Sequence, residues 1–413
     1  MFATHLECTE CKTKYDLIGI YDCEKCNGIL EVKYDYQKIA GEDINATIPG
    51  PGNNLWRYNK LLPVNRSENM VTLFEGGTPL IKSKNISGQI CISNLYFKDE
   101  SRNPSGAFKD RPASVGVSKA LELGYDKIVT ASSGNGAASV ATYSAVANLD
   151  CFIFIPENTP MVKVSQALVS GAHVIKVRGD YSNSYRMAKH VSKVYGSMNI
   201  TSTFLNPYTV EGDKTIAYEL YRQLGDSVPD YILIPTGAGP LVYGIFKGFK
   251  ELKSFNLIDK LPKMIVVQSE GCMPIVKAFE KGIKVEKWGN ISTIASAIAD
   301  PLRGYERDGD QVIKVINESK GFAVAASDRQ IINAIKRLAK CEGIFAEPSA
   351  AIPVAVLDKI VQHKSFNSED IVVCIITGHG LKEPEASINN ADVPIIDADL
   401  DSLDDVINDL LRN

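Results

Sequence analysis

The chain has 413 residues, 45% of them hydrophobic and 23% charged, with a formal net charge of −4. That length exceeds one small core and predicts two or three domains, while the acidic balance argues against a large nucleic-acid surface. No apolar run approaches the ~20 residues that span a membrane, and the start, MFATHLECTECK, lacks the basic-then-apolar layout of a secretory signal. The expected location is cytoplasmic, with neither membrane nor nucleic acid as a partner.

Four of the nine cysteines come first, as CTEC and CEKC: Cys8, Cys11, Cys23 and Cys26. Two such knuckles on short turns let four thiolates converge tetrahedrally, which fits a structural Zn2+ that leaves no position open for chemistry. Redox pairs and disulfides are the alternatives. Neither pair precedes a long helix in a βαβ setting, and a cytoplasmic compartment is reducing. Cys91, Cys151, Cys272, Cys341 and Cys374 are scattered, several in apolar runs such as DCFIFIP, and read as buried thiols. The Gly- and Pro-rich TIPGPGNNLWRY, residues 47–58, reads as a linker or extended arm.

From residue 95 onward strands and helices alternate. LYFKDE is strand-like, 112–123 a helix stopped by Gly124, and KIVTAS a short strand before a small-residue helix over 137–147. CFIFIP, a helix over 162–170 ended by Gly171, HVIKV and a helix over 181–195 follow. A second series starts near 212. DKTIAYELYRQLG is amphipathic, with Ile216 and Leu220 one turn apart, and YILIP runs into TGAGP and a helix over 241–252. MIVVQ and DIVVCIITGHG are later core strands, and DADLDSLDDVINDLLRN is a short acidic helix. The alternation predicts a doubly wound α/β fold, two layers of unequal size with a cleft between them.

Ligands in such sheets bind outside the carboxyl ends of strands, and three small-residue loops sit there. In TASSGNGAAS, Ser132, Ser133, Gly134 and Asn135 precede a helix, whose N–H groups and dipole suit a carboxylate or phosphate as well as an ordinary cap. PTGAGPLVYG offers Gly237, Ala238 and Gly239 to wrap an anion, and ITGHGLK ends a strand at Thr377. Beside them stands ESRNPSGAFKDRPAS, where a turn leads straight to Lys109. A solvated surface lysine and a lysine held to form an imine are the two readings of that stretch.

NPSGAFKDRP, ASSGNG, FLNPYTVEGDKTIAYEL, EGIFAEPSAA and TGHGLKEP are similar, in order and spacing, to pyridoxal-phosphate enzymes of the tryptophan-synthase-β fold type (fold type II). Within that group the chain most resembles the threonine synthases, from about residue 55 to 384, with LWRYNKLLPV and VTLFEGGTPL also matching. Some members carry a four-cysteine N-terminal module. The resemblance implies that Lys109 holds the cofactor covalently and later moves protons, with Phe108 packed beside it. It implies Asn135 on the ring 3′-oxygen, Gly237, Ala238 and Gly239 with the adjoining Pro240 and Leu241 around the cofactor phosphate, and Thr377 at the pyridine nitrogen. Ser132, Ser133 and Gly134 would grip the carboxylate of an amino-acid substrate, and Arg111 its phosphate. The implied reaction takes O-phosphohomoserine and water to threonine and phosphate, in a homodimer. The expected division is a zinc ribbon over 1–33, a large cofactor domain over 34–111 and 202–390, a small mobile domain over 112–201 and the acidic helix over 391–413.

The chain departs from the family pattern where a substrate phosphate is bound. Phe204 and Leu205 precede Asn206-Pro207 in place of a serine, and Tyr208 and Thr209 follow in place of an arginine. Pro240-Leu241 replaces an asparagine-bearing turn, and Pro240 has no N–H to donate. Arg111, Lys163, Lys214 and Arg303 are the remaining cationic candidates. The alternative within the scaffold is another β-elimination or replacement enzyme, such as a serine/threonine dehydratase or an O-phosphoserine-using synthase. An oxidoreductase on the TGAGP turn, with Glu270 as ribose acid, lacks the third glycine because Val242 stands there.

Overall fold

An antiparallel ribbon opens the chain: β1 (Ala3–Cys8) lies between β2 (Lys14–Tyr15) and β3 (Leu30–Tyr34). The computed structural model describes residues 2–388 except Pro51, Asn53, Ser133, Asp180, Lys364 and Ser365, together with Leu403, Val406 and Ile407. Apart from those last three positions, the expected acidic helix over 391–413 lies outside the described residues. The 47–58 stretch is no simple arm. Its second half enters a 3-10 helix, Leu55–Leu61, in which Leu55, Trp56, Tyr58 and Leu61 are buried. The Asn54 side chain caps it, and the Trp56 indole donates to the Val71 carbonyl and to Ser114. Buried aromatic surface outweighs the turn-forming composition here.

β4 (Leu80–Lys82) runs antiparallel to β5 (Asn94–Asp99). β6 (Lys127–Ala131), β7 (Asp150–Pro156), β8 (His173–Val177) and β9 (Met198–Asn199) make a four-stranded parallel sheet in the order β8-β7-β6-β9. β10 (Tyr231–Pro235), β11 (Lys263–Ser269), β12 (Phe322–Ala326) and β13 (Ile371–Ile376) join β4 and β5 in a six-stranded sheet, order β12-β11-β10-β13-β5-β4, parallel except at β4. Continuous apolar runs such as YILIP and IVVCII become strands buried along almost their whole length, because helices cover both faces of a parallel sheet.

The helix Asp110–Glu122 passes through the junction between the two sheets, and nearly every position on it is buried. Its close approach to the 210–213 turn requires Gly212: a Cβ there would sit 2.3 Å from the Arg111 carbonyl oxygen. Its polar side chains find partners in that interior. Ser114 donates to Glu75 at 2.6 Å, and Lys119 pairs with Glu122 at 2.6 Å.

Arg111 anchors a fully enclosed ionic cluster. Its guanidinium is bidentate to Glu100 at 2.7 and 2.8 Å and to Glu219 at 2.6 and 2.8 Å, and also donates to Thr215. Lys98 completes the cluster through Glu219 at 2.6 Å and the Thr78 carbonyl. The two cations hold the Glu219 carboxyl down at about 2 against its burial. Removing one partner strands buried charge. Arg111→Met is therefore expected to destabilise the protein by about 3–5 kcal/mol in urea unfolding; a change under 1 kcal/mol would contradict the cluster's role. Because the Glu219 pKa is depressed, its stabilisation is complete above ~4.5 and is lost as pH falls from there toward 2.

Candidate active site

A cavity of about 580 Å³ opens where β6, β10 and β13 end, between the two sheets. Lys109 lies at its base, at the N-terminus of the helix Asp110–Glu122. Its position follows from backbone pairing. The Phe108 N–H donates to the Thr377 carbonyl at 3.0 Å, and the His379 N–H to the Gly106 carbonyl at 2.9 Å. On the other side the Glu347 N–H donates to Gly378 at 3.1 Å and the Gly380 N–H to Phe345 at 2.9 Å. The GHG turn is thus clamped between the lysine segment and the segment before the helix Pro348–Ala355. Gly106 (φ +84°) makes the turn that aims Lys109 inward.

The Lys109 amine donates to Ser202 Oγ and lies 4.5 Å from the centroid of the Phe108 ring. Burial lowers its pKa from the usual lysine range, opposed by Asp213, Asp300 and Glu347. These acids are displaced the other way. Burial pushes Asp213 up to about 7 and raises Asp300, with the Lys109 charge opposing both shifts. Asp300 accepts from the Tyr305 hydroxyl at 2.6 Å and the Leu302 N–H at 3.0 Å. Burial and the neighbouring Glu383 push Glu347 up to about 7, although it accepts from Asn135 Nδ2 at 2.8 Å. An amine shifted down and carboxyls shifted up around one cavity are the pattern of a proton-transfer site.

The structure brings the predicted loops to this cavity. Ser132, Gly134 and Asn135 line it at the start of the helix Asn135–Val146, while Ser133 lies outside the described residues. Gly237, Ala238, Gly239, Pro240 and Leu241 line it at the N-terminus of the helix Pro240–Ser254. Pro240 occupies the first helical turn, where an N–H has no intrahelical partner and its absence costs least. Gly239, at φ +104°, lets the turn close: a Cβ there would sit 2.0 Å from Val312 Cγ2. Thr377 follows β13 and lines the same space. A half-buried amine, a helix N-terminus and the hydroxyl of Thr377, all lining one cavity, are groups that could hold pyridoxal phosphate by its aldehyde, phosphate and ring nitrogen respectively.

Arg111 is not part of the cleft. The expectation that it meets a substrate phosphate is corrected: every N–H direction of its guanidinium is committed to the buried cluster. Lys214 is likewise consumed, by Glu211 at 2.6 Å and Glu251 at 3.1 Å. Arg303 points at the Trp288 and Gly289 carbonyls. Of the four cationic candidates only Lys163 lines the cavity. The His379 ring accepts from the Leu381 N–H at 3.1 Å, as a turn-capping histidine does. Sequence reasoning missed Ser202, Asp213, Asp300 and Glu347. Glu347 stands inside EGIFAEPSAA and Asp213 inside FLNPYTVEGDKTIAYEL, but neither motif marks which acid would neighbour a lysine far away in the chain, and Asp300 stands in no motif of the resemblance.

In the N-terminal ribbon the sulfurs of Cys8, Cys11, Cys23 and Cys26 all lie within 4.8 Å of one another. Contacts of 3.4–3.5 Å join Cys8 to Cys26 and Cys11 to Cys23 and Cys26, far from a ~2.05 Å disulfide and close to the ~3.8 Å edge of a ZnS4 tetrahedron.

Residues 71–378 match the family model described as "Pyridoxal-phosphate dependent enzyme". The chain is 39% identical to a threonine synthase of Methanocaldococcus jannaschii, over 98% of this chain and 99% of that protein. It is 40% identical to a threonine synthase of Methanosarcina acetivorans, over 98% of each. The structure of maize serine racemase superposes with a TM-score of 0.64 at 24% identity, covering 81% of this chain and 92% of that one, a likeness of fold.

The raised Glu347 pKa makes a testable statement about pH. The folded chain keeps a proton that the unfolded chain releases, so stability falls as pH rises from 4.5 to about 7 and is complete below that window. Through this group the cofactor-free protein is expected to lose up to about 3 kcal/mol. Glu347→Gln should flatten the slope in urea unfolding at several pH values, and equal slopes for both proteins would show Glu347 ionised throughout.

Proposed function

The chain belongs to the pyridoxal-phosphate-dependent enzymes, among the threonine synthases, and from that premise we propose that it converts O-phosphohomoserine and water into threonine and phosphate. It is a carbon–oxygen lyase of amino-acid biosynthesis. The observation that carries the reading is the half-buried Lys109 amine in a cavity that the N-terminus of the helix Pro240–Ser254 also lines.

Pyridoxal phosphate, when bound, supplies an aldehyde that links to amines and a ring that draws electrons from the substrate Cα. Lys109 is the residue that holds it. Burial lowers the pKa of that amine, which favours the unprotonated form that attacks an aldehyde and that could also take the Cα proton of a substrate. Ser202, within hydrogen-bond reach, orients that nitrogen. Gly237, Ala238 and Gly239, with Pro240 and Leu241 in the first turn behind them, direct backbone N–H groups and the helix dipole at the cofactor phosphate. Asn135 meets the ring 3′-oxygen, its amide held by Glu347. Thr377 faces the ring nitrogen with a hydroxyl, which keeps that nitrogen less protonated than a carboxylate would. Ser132, Ser133 and Gly134 bind the substrate α-carboxylate. The layer built on β6–β9, with residues 112–201, closes over the substrate and excludes water.

We further assign Zn2+ to the four cysteines as a structural ion; four sulfur ligands leave no site for substrate. The ribbon is braced for that role, since Tyr34 donates to Glu211 at 2.9 Å and Lys247 to the Val32 carbonyl at 2.7 Å. No helix among the described residues is long and apolar enough to cross a membrane, and a cytoplasmic homodimer is the working form consistent with this reading.

The purified enzyme should be yellow, and borohydride should bleach it and fix the cofactor on the peptide containing Lys109. Lys109→Ala should abolish release of phosphate from O-phosphohomoserine. Keto acid formed from threonine, with no phosphate released from phosphohomoserine, would replace this reading with a dehydratase. The protein should also carry one equivalent of zinc, and Cys23→Ser with chelator should lower Tm while leaving the absorbance of bound cofactor in place. An unchanged Tm would remove the metal's structural role.

A further inference from the structure

A phosphorylated substrate brings a dianion into the cleft, and something must meet it. The positions where relatives would supply donors hold Phe204, buried, and Leu241. Arg111 and Lys214 are committed to buried carboxylates. Among the described residues that line the cavity, the lysines and arginines are Lys109, Lys163 and Lys382. Lys109 is taken by the cofactor.

The other two stand at the mouth, one from each layer, and each reaches across to the other. Lys163, on the helix Met161–Val169, donates to Ser296 Oγ at 2.7 Å and pairs with Glu383 at 2.8 Å. Ser296 donates to the same Glu383 oxygen. Lys382 donates to Gln166 Oε1 at 2.8 Å, one turn further along Lys163's helix. Its stem lies over Gly106, where a Cβ would come within 3.2 Å of Lys382 Cε, so the glycine of the lysine loop also makes room for this second lysine. Lys163, Lys382, Ser296 and Glu383 all line the same cavity as Glu347.

A carboxylate held between an ammonium and a hydroxyl takes the position an incoming oxyanion takes. We infer that Lys163, Lys382 and Ser296 form the subsite for the substrate's phosphate, and that Glu383 occupies it as an internal anion until the phosphate displaces it. The inference rests on the reading above that the substrate is a phosphorylated amino acid. A phosphate dianion has more charge and more oxygens than one carboxylate, so it can engage both lysines at once and draw the two layers together. The subsite is then a specificity device, because an unphosphorylated amino acid has nothing with which to expel Glu383.

Inorganic phosphate, the product, is the probe. Its binding to the holoenzyme is measured by calorimetry and as competitive inhibition. Lys163→Met and Lys382→Met should each weaken it about 10- to 100-fold, the worth of a charged hydrogen bond. KM for O-phosphohomoserine should rise by a similar factor with a smaller change in kcat. Cofactor absorbance should stay as in the wild type, and Lys163→Arg should restore part of the loss. Glu383→Gln should tighten phosphate, because the resident anion is gone. Wild-type phosphate affinity in both methionine variants, with the cofactor spectrum intact, overturns the subsite. If the wild-type enzyme binds phosphate through these lysines yet releases none from phosphohomoserine, the substrate reading falls and the anion site stands.

Discussion

Backbone hydrogen bonds from Phe108 to Thr377 and from His379 to Gly106 fasten the lysine loop to the end of β13. They join two segments far apart in the chain, and the rest of the site depends on them. A lysine amine works near neutrality only where burial opposes its charge, and burial holds only if the backbone beneath it cannot move. The clamp continues through Glu347 to Gly378, so that a single turn of small residues carries the amine's neighbours on both sides. Gly378 belongs there because a Cβ would press to 2.5 Å from the Glu347 carboxylate.

Around that clamp the protein spends much of its interior on charge. Arg111, Glu100, Glu219 and Lys98 form one closed cluster, and Lys214, Glu211, Lys247 and Glu251 form another beneath the ribbon. Both are paired and hydrogen-bonded, which is the condition for burying ions at tolerable cost. The acids near Lys109 differ. Asp213, raised to about 7, has an Oδ1 without a hydrogen-bond partner. Asp300 and Glu347 do accept hydrogen bonds, yet with no cation in direct contact among the described residues burial still raises both.

The cleft divides in the same way. At its base, backbone N–H groups of a helix terminus and a single amine suit a cofactor that stays. At its mouth, lysine side chains from both layers, bridged by Ser296, Glu383 and Gln166, suit a ligand that arrives and leaves. Backbone donors need no reorganisation, whereas side chains can exchange one anion for another.

Much of this was legible in the sequence. The spacing of Cys8, Cys11, Cys23 and Cys26 marked the ribbon. Period and punctuation located most strands and helices between residues 94 and 268 to within a few residues, but not β12 or the helices between 274 and 363. The small-residue loops that line the cleft were visible because composition records local backbone demands: a glycine at a tight turn, a proline in a first helical turn. Local demands did not reveal where Arg111 would go. Its sequence neighbours resembled a binding loop, and only the packing of Glu100 and Glu219 against it made the guanidinium structural. Asp300, Glu347 and Asp213 acquired their significance only when strands remote in sequence placed them around Lys109. The chain by itself determined which turns could form and which side chains could react. The tertiary structure decided which charges were spent on one another and which remained for a ligand, because burial and charge pairing are set by neighbours that sequence order does not name.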